Sequence, residues 1–141
     1  MTLVDTNVLL DLVTNDPDFS NWSLAQLEAA SLKGVLIIND VIYAELSVRY
    51  ASIEKLDTFI ETAALRQNAI PKESLFLAGK AFQQYRRSGG TRTGVLPDFF
   101  IGAHAAVLET PLLTRDIGRY RTYFPTVELI SPEPVSTDPE R

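Results

Sequence analysis

Short apolar runs that alternate with longer amphipathic stretches constrain the fold more than any other feature of this sequence. Apolar runs of strand length lie at 3–5, 35–38, 111–114 and 127–130, with a further short strand expected within 65–70. The continuously apolar run at 35–38 is typical of a strand covered on both faces. Strands that alternate with helices predict βαβ units and a parallel sheet. We therefore expect an α/β/α sandwich around a mainly parallel sheet of about five strands, with strand 3–5 at its centre.

Stretches with helical periodicity separate these apolar runs. Helices are predicted over 6–13, 20–33, 40–50, 52–62, 73–87 and 97–109. Asn39 or Asp40 can cap one of these helices and Ser52 another, while Pro97 suits a first helical turn. We expect a single domain over 1–130. The segment 131–141 contains three prolines and no periodicity, so it is expected to be a poorly ordered tail.

Acidic residues accompany several of these elements. Asp5 ends the first strand, Asp116 follows the 111–114 strand, and Asp98 lies in the first turn of its helix. Ligands of open α/β sheets bind outside the carboxyl ends of the strands. Glu45 lies among apolar helix residues, so it should be partly buried beside a partner such as a divalent cation. Each acid alone also suits a helix cap, a solvated helix face or a turn, and it is their joint placement that favours a site.

The charge balance is acidic, with 13 Lys and Arg against 18 Asp and Glu and a formal net charge of −5. This balance argues against nucleic-acid binding, which usually shows a basic footprint. Bound divalent cations would offset part of the acidic charge. The sequence has no cysteine, which excludes a disulfide framework and a cysteine zinc site. It has no apolar stretch near the roughly 20 residues of a membrane span and no signal-type N-terminus, so we expect a cytoplasmic protein without membrane association.

Four segments, in order along nearly the whole chain, resemble PIN domains. Residues 3–13, "LVDTNVLLDLV", resemble the opening strand and helix of that family. Residues 39–48, "NDVIYAELSV", resemble the helix that carries the family's glutamate, and 96–105, "LPDFFIGAHA", the helix that carries its third acid. Residues 112–116, "LLTRD", resemble the strand end where an acid follows a hydroxyl residue by two positions. Length and N-terminal start are similar to those of VapC toxins of toxin–antitoxin pairs.

The resemblance implies a Mg²⁺- or Mn²⁺-dependent endoribonuclease that hydrolyses RNA phosphodiester bonds and thereby inhibits translation and growth. The family's metal-binding and catalytic acids fall on Asp5, Glu45, Asp98 and Asp116. Of these, Asp5 and Asp98 are expected to be the innermost ligands. Asn7 and Thr114 match supporting positions, and Gly102 stands where small residues are usual.

The resemblance also implies three partners, which are an RNA substrate, a cognate VapB-like antitoxin and a second copy in a homodimer. Exposed contacts for an antitoxin are expected on helices 40–50 and 52–62, from Val41, Tyr43, Val48, Ile53 and Leu56. Arg86, Arg87 and Arg92 are candidates for holding the RNA backbone, and the alternative for them is a solvated helix end. A further cluster contains Arg115, Arg119 and Arg121.

Other functions remain as alternatives. The chain could be a degenerate PIN module that binds RNA or a protein without catalysis, or a PIN nuclease of RNA processing rather than a toxin. A haloacid-dehalogenase-like phosphatase would need a second aspartate two residues after the first, where this chain has Asn7. The single histidine, His104, is expected to be structural, since it lies on a different helix face from Asp98. Asp11 is expected to be solvated.

Overall fold

A five-stranded parallel sheet forms the centre of the computed structural model, which describes residues 1–132. The strands are β1 (Thr2–Val4), β2 (Leu36–Ile38), β3 (Leu65–Gln67), β4 (Leu112–Leu113) and β5 (Leu129–Ile130). Their order is β3-β2-β1-β4-β5, and every neighbouring pair is parallel. The predicted α/β fold, its five-stranded sheet and its central first strand are therefore confirmed.

Seven helices surround this sheet within residues 1–132. They are α1 (Thr6–Val13), α2 (Ser20–Lys33), α3 (Asp40–Ser47), α4 (Ile53–Thr62), α5 (Lys72–Arg87), α6 (Leu96–Leu108) and α7 (Gly118–Tyr123). The six predicted helices are all present, although α3 ends three residues earlier than predicted. Helix α7 was not predicted, because it has six residues and no side-chain cap, and buries a single residue, Tyr120.

Strand β1 is buried because it lies at the centre of the sheet. Leu3 and Val4 are fully buried, and Leu3 lies in register with Ile37 of β2 on one side and Leu112 of β4 on the other. Because all of these strands are parallel, their carboxyl ends meet at one edge of the sheet. Asp5 follows β1 and Thr114 follows β4, so both lie at this edge.

A buried polar contact fixes α3 to α6. Asn39 caps α3, since its Oδ1 accepts a hydrogen bond from the Ile42 amide at 3.0 Å, and its Nδ2 lies 3.2 Å from His104 Nδ1. His104 is fully buried, and burial lowers the pKa of its imidazole. The histidine therefore packs inside the domain, in agreement with its expected structural role.

An aromatic cluster holds α5, α6 and α7 together. Its members are Phe82, Tyr85, Phe99, Tyr123 and Phe124, with ring centroids between 5.3 and 6.1 Å apart. Gly102 allows this packing, because a Cβ there would lie only 2.3 Å from Phe124 Cδ2. Phe99, one residue after Asp98, contacts the other four rings, and this packing holds the start of α6 in place.

The expected tail at 131–141 falls, from residue 133 onward, outside the described residues. Within residues 1–132, no helix is long and apolar enough to cross a membrane.

Candidate active site

Asp5 is the most buried of the four candidate acids, with only 4% of its surface exposed. It caps α1, because its Oδ1 accepts a hydrogen bond from the Thr6 amide at 2.7 Å. Its Oδ2 accepts hydrogen bonds from the Thr114 hydroxyl at 2.8 Å and from the Tyr120 hydroxyl at 2.9 Å. Burial is the main cause that raises the pKa of Asp5 to about 6, and the charge of Asp98 adds to it. Thr6, Thr114 and Tyr120 act in the opposite direction.

Asn7 links Asp5 to the turn that follows β4. Its amide nitrogen lies 3.4 Å from Asp5 Oδ2 and 3.3 Å from Thr114 Oγ1, and donates to both. Its Oδ1 accepts a hydrogen bond from the Arg115 amide at 3.1 Å. Asn7 and Thr114, named above as supporting positions, therefore both contact the first acid directly.

Glu45 lies half-buried on α3 and faces the start of α1. The Thr6 hydroxyl donates a hydrogen bond of 2.7 Å to its Oε1. Burial raises the pKa of Glu45, and the charge of Asp98 raises it further, while the Thr6 hydrogen bond lowers it. The expectation of a partly buried glutamate on the site side of the sheet thus agrees with the structure.

Asp98 begins α6 and forms an ion pair with α7. Both Nε and Nη2 of Arg119 donate to its Oδ2, at 3.2 and 3.0 Å. About a quarter of each side chain remains exposed, 25% for Arg119 and 29% for Asp98. Burial raises the pKa of Asp98 and the charge of Asp116 adds to this, whereas Arg119 lowers it.

Asp116 is exposed and belongs to the turn between β4 and α7. Its amide donates to Thr114 Oγ1 at 3.0 Å, and its Oδ1 accepts from the Gly118 amide at 3.3 Å. The neighbouring Arg115 anchors this turn, since its Nη2 donates to Asp11 Oδ1 at 2.8 Å and its Nε lies 2.7 Å from Asp11 Oδ2.

Asp11 corrects an expectation, because it is 2% exposed rather than solvated. It accepts a further hydrogen bond of 2.7 Å from the Ser23 hydroxyl, and the Arg115 guanidinium lies 4.3 Å from the ring centroid of Phe19. Helical spacing from Asp5 suggested an outward-facing side chain. Helix α2 and the β4–α7 turn cover that face and supply the partners that a buried carboxylate needs.

The four acids are electrostatic neighbours. Asp98 raises the pKa of Asp5 and of Glu45, and Asp116 raises that of Asp98. Among residues 1–132, however, no three acidic or histidine side chains already lie at the spacing of an assembled metal site. Asp98 instead pairs with Arg119. The carboxylates therefore influence one another's pKa values without forming a complete set of metal ligands.

The chemistry of the donors fits a hard divalent cation. Carboxylate oxygens are the ligands that Mg²⁺ and Mn²⁺ prefer, and thiols are absent from the chain. Two of the acids are half-buried, and the third, Asp5, is almost wholly buried with a raised pKa. A cation placed among them would relieve repulsion between like charges that lie outside bulk water.

Three exposed arginines lie at the same end of the domain as Asp98. Arg86 and Arg87 end α5, next to Tyr85, whose ring packs 5.6 Å from that of Phe99. The Arg92 amide donates to the Tyr85 hydroxyl at 3.1 Å. The end of α5 and the following loop therefore place basic groups beside the start of α6.

Three residues that contact the acids were not predicted, namely Thr6, Arg119 and Tyr120. Tyr120 is 1% exposed and is the buried residue of α7. Its contact with Asp5 follows from the position of α7, and the sequence analysis did not predict that helix. Thr6 follows Asp5 directly and was interpreted only as the start of a helix.

Comparison with known proteins gives one family and a set of similar folds. The family model of the PIN domain matches residues 2–125. No curated protein matches in sequence.

Several solved structures have a similar fold. One is VapBC2 from Rickettsia felis bound to a promoter DNA fragment, with a TM-score of 0.72, 19% identity, and coverage of 94% of this chain and 98% of that one. A toxin–antitoxin complex from Klebsiella pneumoniae has a TM-score of 0.69 and 20% identity, over 96% and 100% of the two chains. FitAcB from Neisseria gonorrhoeae has a TM-score of 0.66 and 17% identity, over 93% and 97%. Identities this low show likeness of fold.

Proposed function

Because this chain belongs to the PIN-domain family, whose members are generally nucleases, we propose that it is a Mg²⁺- or Mn²⁺-dependent endoribonuclease. The observation that carries the proposal is Asp5, a carboxylate buried at the end of the central strand with its pKa raised to about 6 beside Asp98. Burial of a carboxylate is unfavourable, and carboxylates with strongly shifted pKa values are concentrated at catalytic sites.

Asp5 and Asp98 would hold the cation directly, with Glu45 and Asp116 as direct or water-mediated ligands. When bound, the cation supplies Lewis-acid activation of the phosphodiester and of the attacking water. The chain's own contacts prepare the acids for this role. Thr114 and Tyr120 fix the orientation of Asp5 through Oδ2.

Glu45 is suited to accept the proton of the attacking water. Its Oε1 is engaged by the Thr6 hydroxyl, which leaves Oε2 as the proton acceptor. Burial raises its pKa above the ordinary glutamate value, and a base is most effective when its pKa approaches the working pH.

The test is cleavage of a single-stranded RNA by the full chain, with and without EDTA, and with Mg²⁺ or Mn²⁺ restored. Asp5→Asn should lower the rate by more than about 100-fold, which exceeds the usual effect of supporting residues. Glu61→Gln, on the exposed face of α4, serves as the matched loss of one acidic charge. Cleavage that survives EDTA, or equal rates for Asp5→Asn and wild type, would contradict the proposal. A chain that binds RNA in Mn²⁺ without cutting it would support the degenerate module instead.

We further propose that the chain is the toxin of a toxin–antitoxin pair. Support comes from the similar folds, which include VapBC2 and the Klebsiella pneumoniae complex. The proposed docking groove lies between α3 and α4 and is lined by Tyr43, Ser47, Tyr50, Ala51, Ser52, Ile53 and Leu56. Val48 and Ile53 are 85% and 68% exposed, which leaves apolar surface for an amphipathic segment. Leu56 is 1% exposed, so it forms the floor of the groove and not the exposed contact expected above.

The antitoxin proposal is tested by co-purification with the product of the adjacent gene. Val48→Asp and Ile53→Asp should each weaken capture while RNA cleavage by the isolated chain is unchanged. Leu32→Asp, at an apolar residue 89% exposed on α2, is the control for added surface charge. Equal capture by all variants would place the antitoxin elsewhere.

A homodimer is the assembly that we propose, because a second copy could bring arginines beside each acidic site. Light scattering should report twice the 15.7 kDa of one chain. A single-chain mass at micromolar concentration would contradict it.

A further inference from the structure

Arg119 pairs with Asp98 through a single carboxylate oxygen. Two of its nitrogens donate to one oxygen, Oδ2, at 3.0 and 3.2 Å. A divalent cation held by the same carboxylate would bring a double positive charge against the guanidinium. Since like charges this close repel where water is partly excluded, Arg119 and a divalent cation on Asp98 weaken each other's binding.

The surroundings show which of them can move. Arg119 retains 25% side-chain exposure and lies on a six-residue helix without a side-chain cap. Its neighbour Tyr120 is 1% exposed and holds the same helix to Asp5. The Arg119 side chain can therefore swing toward solvent by rotation of its own bonds, while Tyr120 keeps α7 in place.

The acids around this pair do not form a ready-made group of metal ligands. Within residues 1–132, no three acidic or histidine side chains lie at metal-binding spacing, and Arg119 is the cation that Asp98 contacts. Asp98 is also the acid whose charge reaches both Asp5 and Glu45. A contact that neutralises Asp98 therefore also reduces the repulsion that Asp5 and Glu45 experience.

We propose that Arg119 is the resident counter-ion of the site, which neutralises Asp98 in the free protein and is exchanged for the divalent cation when the site fills. Arg119 is in this sense a positioning residue that sets the affinity for the cation. The proposal rests on the cation site proposed above. It adds that the site carries its own competing cation, so that cation binding includes the rupture of one ion pair.

The experiment is titration of Mn²⁺ into the cation-stripped full chain by calorimetry, at a pH where the carboxyls are ionised. Arg119→Ala should bind Mn²⁺ about two- to fivefold more tightly than wild type, the effect of a partly exposed ion pair. Arg119→Lys, which keeps the charge but lacks the fork, should lie between the two. Arg121→Ala removes the same charge from an exposed position on the same helix and should leave the affinity unchanged.

Thermal unfolding provides the second readout. Without Mn²⁺, Arg119→Ala should unfold at a lower temperature than wild type, and saturating Mn²⁺ should raise its unfolding temperature by more. Equal or weaker Mn²⁺ affinity in Arg119→Ala than in Arg121→Ala would overturn the exchange. Failure of the cation site itself looks different, because wild type and Asp98→Asn would then both bind no Mn²⁺ or bind it equally.

Discussion

The Tyr120 hydroxyl donates a hydrogen bond of 2.9 Å to Asp5 Oδ2, and so joins a short C-terminal helix to the end of the central strand. Both residues are almost fully buried. Burial is the main cause that raises the pKa of the Tyr120 phenol well above its ordinary value, and the charges of Asp5 and Asp98 add to it, so the hydroxyl stays protonated and remains a donor. This contact makes the stability of the domain and the ionisation of its site depend on each other.

The stability of the cation-free protein should fall as the pH rises from about 4 to about 6. The pKa of Asp5 is about 6 in the folded chain against an ordinary aspartate value of 3.8, so the folded state holds the proton more tightly. Stability from this group is complete below the unfolded pKa and is lost through the folded one, by about 3 kcal/mol in total. Glu45 and Asp98 have raised pKa values and act in the same direction. Urea denaturation in EDTA should show the fall in wild type and a smaller one in Asp5→Asn, and identical pH profiles would contradict the prediction.

Removal of the Tyr120 hydroxyl should raise the pKa of Asp5 above its present value, because the hydrogen bond that lowers it is lost. Tyr120→Phe should also cost about 1 to 2 kcal/mol of stability at neutral pH, as expected when a buried charged acceptor loses a donor. Carboxyl carbon NMR of Asp5 and urea denaturation measure the two effects. Tyr123→Phe, in the same helix and aromatic cluster, should change neither by much.

The ion pair of Asp11 with Arg115 should be a main support of the β4–α7 turn. Asp11→Ala should destabilise the domain by about 2 kcal/mol, less than for a wholly buried pair because 28% of the Arg115 side chain is exposed. A double-mutant cycle with Arg115→Met should give a coupling of about 1 kcal/mol or more. Asp18→Ala, at an exposed position, is the control, and equal effects at the two aspartates would mean that Asp11 is solvated after all.

Two glycine-to-alanine substitutions should change the stability of the domain in opposite directions. Gly102→Ala would place a Cβ 2.3 Å from Phe124 Cδ2 and should cost about 1 to 3 kcal/mol through overpacking. Gly79→Ala lies inside α5 with no heavy atom within 4 Å of the added Cβ, and should stabilise the domain by about 0.5 to 1 kcal/mol. Thermal denaturation of both variants tests the prediction. An unchanged unfolding temperature in Gly102→Ala would mean that Phe124 is free to move.

The arginines at the end of α5 should supply salt-dependent RNA affinity. Removal of one phosphate contact from a single-stranded RNA lowers the slope of log affinity against log salt by about 0.7. Arg86→Ala, Arg87→Ala and Arg92→Ala should each do so if they bind phosphate. Lys33→Ala, at the end of α2 just before β2, removes a charge at the opposite edge of the sheet and should leave the slope unchanged. Equal slopes in fluorescence anisotropy would assign the arginines to a solvated helix end.

The sequence predicts the larger elements of this fold well, because burial and periodicity there agree. Leu3 and Val4 of β1 and all of β2 are apolar, and α5 is long and strongly periodic, so little else competes with these assignments. Helix α7 could not be predicted, because its six residues bury only Tyr120 and its position depends on the contact with Asp5. Because α7 was not predicted, the contacts of Tyr120 with Asp5 and of Arg119 with Asp98 were not predicted either.

The candidate acids could be placed at one edge of the sheet from their positions after strands and at a helix start. What could not be predicted is which side chains accompany them. Thr6 binds Glu45 across 39 positions of sequence, and Arg115 binds Asp11 across 104. Such pairs depend on how the helices pack, which local patterns do not record.

Asp5 is at once the cap of α1 and a member of the candidate site, and this double duty bears on how loss of activity is interpreted. An alanine there would remove a carboxylate and also uncap the helix, at a cost of about 1 kcal/mol. Asparagine keeps the capping oxygen, but it removes the charge and places an amide NH2 where Oδ2 accepts from Thr114 and Tyr120. In a genetic screen for inactive variants, substitutions at this codon would therefore mix chemical defects with folding defects. The amide variant mixes them less than alanine does, because the helix stays capped, and its cellular abundance measures the folding defect that remains.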